Sequence, residues 1–226
     1  MPDQQVTIRS VLFVGKQNDP CGEQARAYLA QTFPEVTAVL GRRGDPLPSE
    51  VQDWRGDMIV SYLSPWIIPS PVLKQASVAA INFHPGPPDY PGIGCTNFAI
   101  YREEKVFGVT CHHMDPTVDT GSIIAVRRFP LLPSDSVYSL TQRCYAEILA
   151  LSYDIFGRLA LGQSLPESDE KWTRKPYRRS QLNALCRIEP DMDFSEVRRR
   201  VRATTFPGAP GAYVEIAGIR FKYSPD

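Results

Sequence analysis

The sequence has no excess of charge of either sign: 25 Lys plus Arg stand against 25 Asp plus Glu in 226 residues, a formal net charge of zero. General nucleic-acid binders carry a basic excess, so no nucleic-acid partner is expected. Histidine is scarce, at three residues. The five cysteines (Cys21, Cys95, Cys111, Cys144 and Cys186) include no C-x-x-C pair and are odd in number. A disulfide framework or a thiolate zinc site is therefore not expected, and reduced thiols in a cytoplasmic protein are. No apolar run is long enough to span a bilayer, and "MPDQQVTIRSVLFVG" lacks the basic start and apolar core of a signal peptide. No internal repeat or low-complexity tract is present. What remains is ordinary globular composition, 42% hydrophobic and 22% charged, enough for one sizeable core or a core with an appendage.

The chain then reads as alternating strands and helices. "IRSVLFVG", "EVTAVLG", "DMIVSYLSPWIIP" (broken at Pro65) and "SVAAINFH" are strands, and "CGEQARAYLAQTF" is a helix. Their continuously apolar interiors predict an α/β fold, an open, mostly parallel twisted sheet with helices on both faces. "CTNFAIYREE" follows as a helix, then "VFGVTCHHMD" and "GSIIAVRRFPL" as strands, then the longest helix, "SVYSLTQRCYAEILALSYDIFGRLALG". The apolar residues of that helix recur at helical spacing and predict a core stripe. After Gly162 the chain turns polar, with the connector "SLPESDEKWTRKPYRRSQ". A short amphipathic helix, "DFSEVRRRVRA", comes next, and then a strand, a glycine turn and a second strand. The expected division is a core over 1–165 and a short C-terminal α+β tail over 166–226.

Two segments hold polar residues that a core strand does not need. In "AINFHPGPPDYPGIG", side chains alternate faces, so Asn82 and His84 share one face and Ile81 and Phe83 the other. Ligands in open parallel sheets bind beyond the carboxyl ends of strands. Asn can donate to a developing oxyanion, and His can transfer a proton near neutral pH. The second segment, "GVTCHHMDPTVDTGSII", places His112, His113, Asp115 and Asp119 at the end of another strand. Two histidines and two carboxylates could bind a metal, but adjacent His112 and His113 point to opposite faces. The alternative is an Asn, His and Asp group meeting at neighbouring strand ends, the carboxylate orienting the imidazole.

"INFHPG", "YPGIG", "GVTCHHMD" and "VDTGSII" together resemble the folate-dependent formyltransferase family, from the first strand to about residue 163. The resemblance implies a Rossmann-like formyltransferase core, 10-formyltetrahydrofolate as cosubstrate and no metal. It implies Asn82, His84 and Asp119 as catalytic residues, Asp119 being preferred to Asp115 because it lies in the "D-x-G" piece. It implies a folate pocket built from Tyr62, Leu63, Trp66, Ile67, Asp115 and Val118, although Trp66 and Ile67 would serve equally as core. Acceptor contacts would come from Gly86, Tyr90, Pro91 and the accessory histidine, His112.

Among members of that family, a methionyl-tRNA enzyme would carry a full C-terminal barrel and a basic surface. A glycinamide ribonucleotide enzyme would carry a glycine-rich loop after the first strand, where this chain has "VGKQNDPCGEQ". A formyltetrahydrofolate hydrolase would begin with a regulatory domain. The compact layout and the tail "RRVRATTFPGAPGAYVEIAGIRFKY" most resemble sugar N-formyltransferases. That implies a nucleotide-linked amino sugar as acceptor and a homodimer. Arg174, Arg178, Arg179 and Arg202 are candidates for a diphosphate contact, or else form a solvated basic face. A module that keeps the fold without the chemistry is the non-enzyme alternative.

Overall fold

The computed structural model describes residues 7–209 and 211–224. The first six positions, part of the segment searched for a signal peptide, lie outside them, as does Pro210 of the tail. The core begins β1 (Ser10–Lys16), α1 (Pro20–Thr32), β2 (Glu35–Gly41), α2 (Ser49–Asp53) and β3 (Gly56–Tyr62). It continues with α3 (Ser70–Leu73), β4 (Ala76–His84), α4 (Cys95–Tyr101), β5 (Val106–His113), β6 (Ile123–Pro130) and α5 (Val137–Ala160). The tail contains α6 (Arg179–Cys186), β7 (Arg187–Ile188), α7 (Phe194–Thr204), β8 (Tyr213–Ile216) and β9 (Ile219–Lys222).

Local chemistry explains the helix starts. The Asp19 carboxylate accepts from the Gly22 N–H at 2.8 Å, ahead of Pro20 at the first turn of α1. Ser136 and Ser139 cap α5 reciprocally. Alternation along β1 sends Val11 and Phe13 into the larger core with α1, α4 and α5. Leu12 and Val14 go to a smaller core covered by α2 and α3. Helices therefore lie on both faces, as the apolar strand interiors predict.

The sheet runs β2-β1-β3-β4-β5-β6. The first four strands are parallel, but β4–β5 and β5–β6 are antiparallel. Seven-residue α4 is too short to carry the chain back across the sheet. The rest of the connection stays at the same end as loop, so β5 starts where β4 stops and runs the other way. The reversal positions the site: Asn82 pairs with His112, and His84 with Thr110.

The tail holds more structure than the sequence suggests. Helix α6 falls inside the polar segment, with the Gln181 side-chain oxygen accepting from the Arg178 N–H at 2.8 Å. β7 joins β8 and β9 in a three-stranded sheet. Ala217 and Gly218, both at positive φ (+50° and +78°), make the tight turn between β8 and β9. Tyr177, Leu185 and Ala203 are buried in the main core, so the tail packs on the first 165 residues as one body of apolar contacts.

Candidate active site

The reversal of β5 brings four polar side chains to one point. Asn82 and His84 come from β4, His112 from β5, and Asp119 from the loop after it. His84, His112 and Asp119 are 4%, 2% and 6% exposed, so their charges interact with little screening. Each Asp119 oxygen meets one imidazole: Oδ2 lies 3.2 Å from His84 Nδ1, and Oδ1 lies 3.3 Å from His112 Nε2. The Gly92 N–H donates to Oδ2 at 2.7 Å. Burial pushes the Asp119 carboxyl up, but the His84 charge, the His112 hydrogen bond and charge, and the Gly92 N–H outweigh it and hold the pKa down to about 2.

The other ring nitrogens are tied to main-chain carbonyls. His84 Nε2 donates to the Tyr90 carbonyl at 2.8 Å, and His112 Nδ1 donates to the His113 carbonyl at 2.7 Å. A carbonyl only accepts, so both of these nitrogens carry hydrogen. His112 Nε2 then has two partners. It accepts from the Asn82 amide at 3.0 Å, or, once protonated, donates to Asp119. That nitrogen is a place where a proton can rest.

The "D-x-G" piece is a steric requirement. Asp119 sits at φ +48°, a left-handed conformation that costs roughly 1–2 kcal/mol for a residue with a Cβ. A Cβ on Gly121 would lie 1.9 Å from the His113 carbonyl oxygen. A Cβ on Gly86 would lie 2.7 Å from His84 Nε2. The Thr110 hydroxyl donates to the Gly86 carbonyl at 2.8 Å and pins the loop above the histidines.

A cavity of about 230 Å³ opens beside this group. Leu63, Trp66, Ile67, Asp115 and Val118 line it with Ser61, all within the 61–69 and 115–119 segments that the resemblance implies, and they are joined by Met114, which was not foreseen. Trp66 is fixed by its indole N–H, which donates to the Asp45 carbonyl at 2.9 Å, and by close packing on Gly41. Ile67 and Val118 are 69% and 40% exposed, so the cavity presents apolar surface to solvent.

Six expected site residues do not line this cavity. Tyr62 pairs with Phe83, on the face opposite Asn82, and its ring is buried between Phe13 and Phe83. It is a core residue and does not line the cavity. Arg178 stands at the start of α6. Arg202 donates to the carbonyls of Pro133 and Asp135. Neither lines the cavity. Gly86 and Pro91 are buried in the loop, where the Pro91 carbonyl accepts from the Tyr177 N–H at 2.8 Å. The Tyr90 ring, from the same loop, is buried against Phe107 and Tyr177, and its hydroxyl donates to Glu104 at 2.5 Å.

Trp172 belongs to the site and was missed. Its ring stands edge-on to His112 at 5.0 Å and to His84 at 5.9 Å, and its N–H donates to the Gly121 carbonyl at 2.8 Å. A lone tryptophan in a charged connector was the available signal. Among the described residues no group of three or more His, Cys, Asp or Glu could hold a metal ion.

A family model described as "Formyl transferase" matches residues 4–148. The GDP-perosamine N-formyltransferase of Brucella melitensis biotype 1 is 30% identical over 163 residues, covering 72% of this chain and 62% of that protein. The methionyl-tRNA formyltransferase of Lactiplantibacillus plantarum is 27% identical over 233 residues, covering 98% and 67%. The chain thus spans about three fifths of the length of the first of these relatives. Among solved structures, the N-formyltransferase from Helicobacter canadensis, in complex with folinic acid and dTDP-3-aminofucose, matches with TM-score 0.72 at 17% identity. That match covers 94% of this chain and 85% of that one.

Proposed function

The chain belongs to the formyl transferase family, and from that premise we propose that it transfers a formyl group from 10-formyltetrahydrofolate to the amino group of a nucleotide-linked amino sugar. One observation carries the reading: Asn82, His84 and Asp119 meet at the edge of an apolar cavity. The cavity fits a donor of that kind. At about 230 Å³ it lies near the low end of ligand pockets, sized for a ring system rather than a whole folate. Trp66, Ile67 and Val118 would take the ring faces, and the exposed rim leaves the rest of the donor outside.

The donor supplies an electrophilic formyl carbon for attack by an amine. The second amide N–H of Asn82, not used on His112, is free for the oxygen that gains charge, and His84 would join it by exchanging its bond to the Tyr90 carbonyl for one to that oxygen, a contribution worth on the order of a hundred- to a thousand-fold per donor. Asp119 is ionised and faces the site, so it can draw the proton from the attacking amine, directly or through water. His112 Nε2 lies 3.3 Å from that carboxylate and can take the proton onward; as the tetrahedral intermediate collapses, the formyl C–N bond to the donor breaks, the donor nitrogen takes up a proton and tetrahydrofolate leaves. Trp172 covers the imidazoles and keeps water from them.

The acceptor class is supported by the Brucella relative, named for GDP-perosamine, and by the Helicobacter structure, which holds an amino sugar on dTDP. The test is mass spectrometry of a panel of nucleotide-linked amino sugars incubated with protein and donor, with and without EDTA. A gain of one formyl group on at least one sugar, insensitive to chelation, is expected. Activity abolished by EDTA and restored by zinc would overturn the metal-free reading.

The Lactiplantibacillus match, spanning 98% of the chain, favours a second reading, methionyl-tRNA as acceptor. Formylation of that substrate and of no sugar would select it. Failure with both would favour a non-enzymatic module. We also propose a cytoplasmic homodimer: all five thiols are free, and Ile216, Ile219 and Phe221 are exposed on β8 and β9.

A further inference from the structure

Tyr90 faces two ways. Its carbonyl accepts from His84, while its side chain walls a second cavity of about 530 Å³ on the outer side of the proline-glycine loop. Arginines converge on this cavity from three places: Arg102 at the end of α4, Arg128 on β6, and Arg174 in the connector. The Arg174 guanidinium carbon lies 3.4 Å from the Tyr177 ring centroid. That of Arg102 lies 5.7 Å from the Tyr90 ring and 5.9 Å from the Tyr177 ring. Tyr177 is itself stacked on Phe98 at 3.8 Å, so the platform is rigid.

A guanidinium laid on an aromatic face is held by that face and keeps its N–H edge free. Arg128 is paired with Glu170, but neither Arg102 nor Arg174 forms an ion pair among the described residues. Two acidic residues also line the cavity, Glu104 accepting from the Tyr90 hydroxyl at 2.5 Å and Asp89 from the Thr173 hydroxyl at 3.2 Å, so three guanidinium groups stand against two carboxylates there. The cavity therefore offers two guanidinium groups laid on aromatic faces without an ion-pair partner among the described residues, Arg174 spending its Nε–H on the Lys175 carbonyl at 3.3 Å and keeping its terminal nitrogens free, with a third arginine close by.

We infer that this cavity is a phosphoryl-anion site, built for a diphosphate. Each guanidinium fork matches two phosphate oxygens, and two forks on one platform suit two linked phosphoryl groups. Because Tyr90 also holds His84, occupancy would brace the loop over the imidazoles. Two sources share this chemistry. One is the diphosphate of a nucleotide-linked acceptor, which rests on the function proposed above. The other is free phosphate or pyrophosphate acting as a regulator.

The test is calorimetric titration of the full chain with inorganic pyrophosphate. One saturable site is expected. Affinity should fall at least about tenfold in Arg102→Gln and in Arg174→Gln, and should stay unchanged in Arg198→Gln on α7. Unaltered melting temperatures would show that the variants are folded. A nucleoside diphosphate that competes with pyrophosphate assigns the site to the acceptor; pyrophosphate binding without such competition assigns it to a free anion. No saturable binding, or full affinity in the Arg102→Gln/Arg174→Gln double variant, would overturn the inference. Pyrophosphate binding requires neither donor nor transfer, so a failed search for a sugar acceptor leaves this result standing.

Discussion

The two sides of Asp119 are built in opposite ways. On one side, His84 and His112 are nearly dry and held by short bonds to main-chain carbonyls, with the half-buried Asn82 bonded to His112. On the other, Ile67 and Val118 stand exposed around an open cavity. The first side is preorganised before any ligand arrives, as charge stabilisation in a transition state requires. The second keeps apolar surface unburied, and that surface is worth roughly 25 cal/mol per Å² only when something covers it. Chemistry and affinity are thus separated across a single residue, and substitutions on the two sides should move different measurements.

The largest expected effect comes from deleting residues 166–226, the unit we propose as the appendage. It would remove Trp172 from over the histidines and expose Phe98, which Tyr177 covers. We expect an insoluble or molten product; a soluble truncation with a cooperative thermal transition would show that the core stands alone.

Next in size is an acid dependence. The Asp119 pKa lies at about 2 in the folded protein, against an ordinary 3.8. A depressed value means that its stabilisation is fully present above about pH 4 and is lost as pH falls through about 2. The difference corresponds to roughly 2 kcal/mol. Denaturant titrations from pH 5 to pH 2 should show wild type losing about that much more stability than Asp119→Asn. Parallel curves would mean that the carboxylate is not held by the histidines.

Trp172→Ala should lower turnover about tenfold with donor affinity unchanged, because it loosens the imidazoles and not the cavity. Trp172→Phe, which keeps a ring and loses the bond to Gly121, should fall between, and the pH profile of kcat should shift in the Ala variant. An unshifted profile would reduce Trp172 to packing.

The smallest effect separates neighbours. Ile67→Ala should weaken donor binding roughly threefold to tenfold and leave stability within about 0.5 kcal/mol. Ile68, only 2% exposed, should cost about 2–5 kcal/mol of stability as Ile68→Ala. Equal behaviour of the pair would erase the distinction between rim and core.

Much of this arrangement was legible because strand alternation is local. Placing Asn82 and His84 on one face needs only a period of two. The same rule, applied to β3, puts Tyr62 on the core side, since Ser61 and not Tyr62 pairs with Asn82; the motif resemblance masked it. What was not legible depends on where the chain returns. Trp172 and Tyr177 reach the site because the connector lies along the 88–93 loop, with Thr173 N–H on the Pro88 carbonyl and Ile93 N–H on the Tyr177 carbonyl. No periodicity encodes that path. The arginines of the connector look alike in sequence, yet Arg174 lines the second cavity and Arg178 stands ahead of α6, its N–H bonded to the Gln181 side chain. The antiparallel turn of β5 was hidden for the same reason: it follows from the shortness of α4.

The central claim is that Asp119, and not its neighbour Asp115, is the carboxylate of the reaction. Asp119 is buried between two imidazoles, while Asp115 stands exposed on the cavity rim. Single-turnover formyl transfer, with donor binding measured separately, compares Asp119→Asn with Asp115→Asn. The account predicts at least about a hundred-fold slower transfer in Asp119→Asn with donor affinity little changed, and near wild-type transfer in Asp115→Asn. An active Asp119→Asn beside an inactive Asp115→Asn would contradict it.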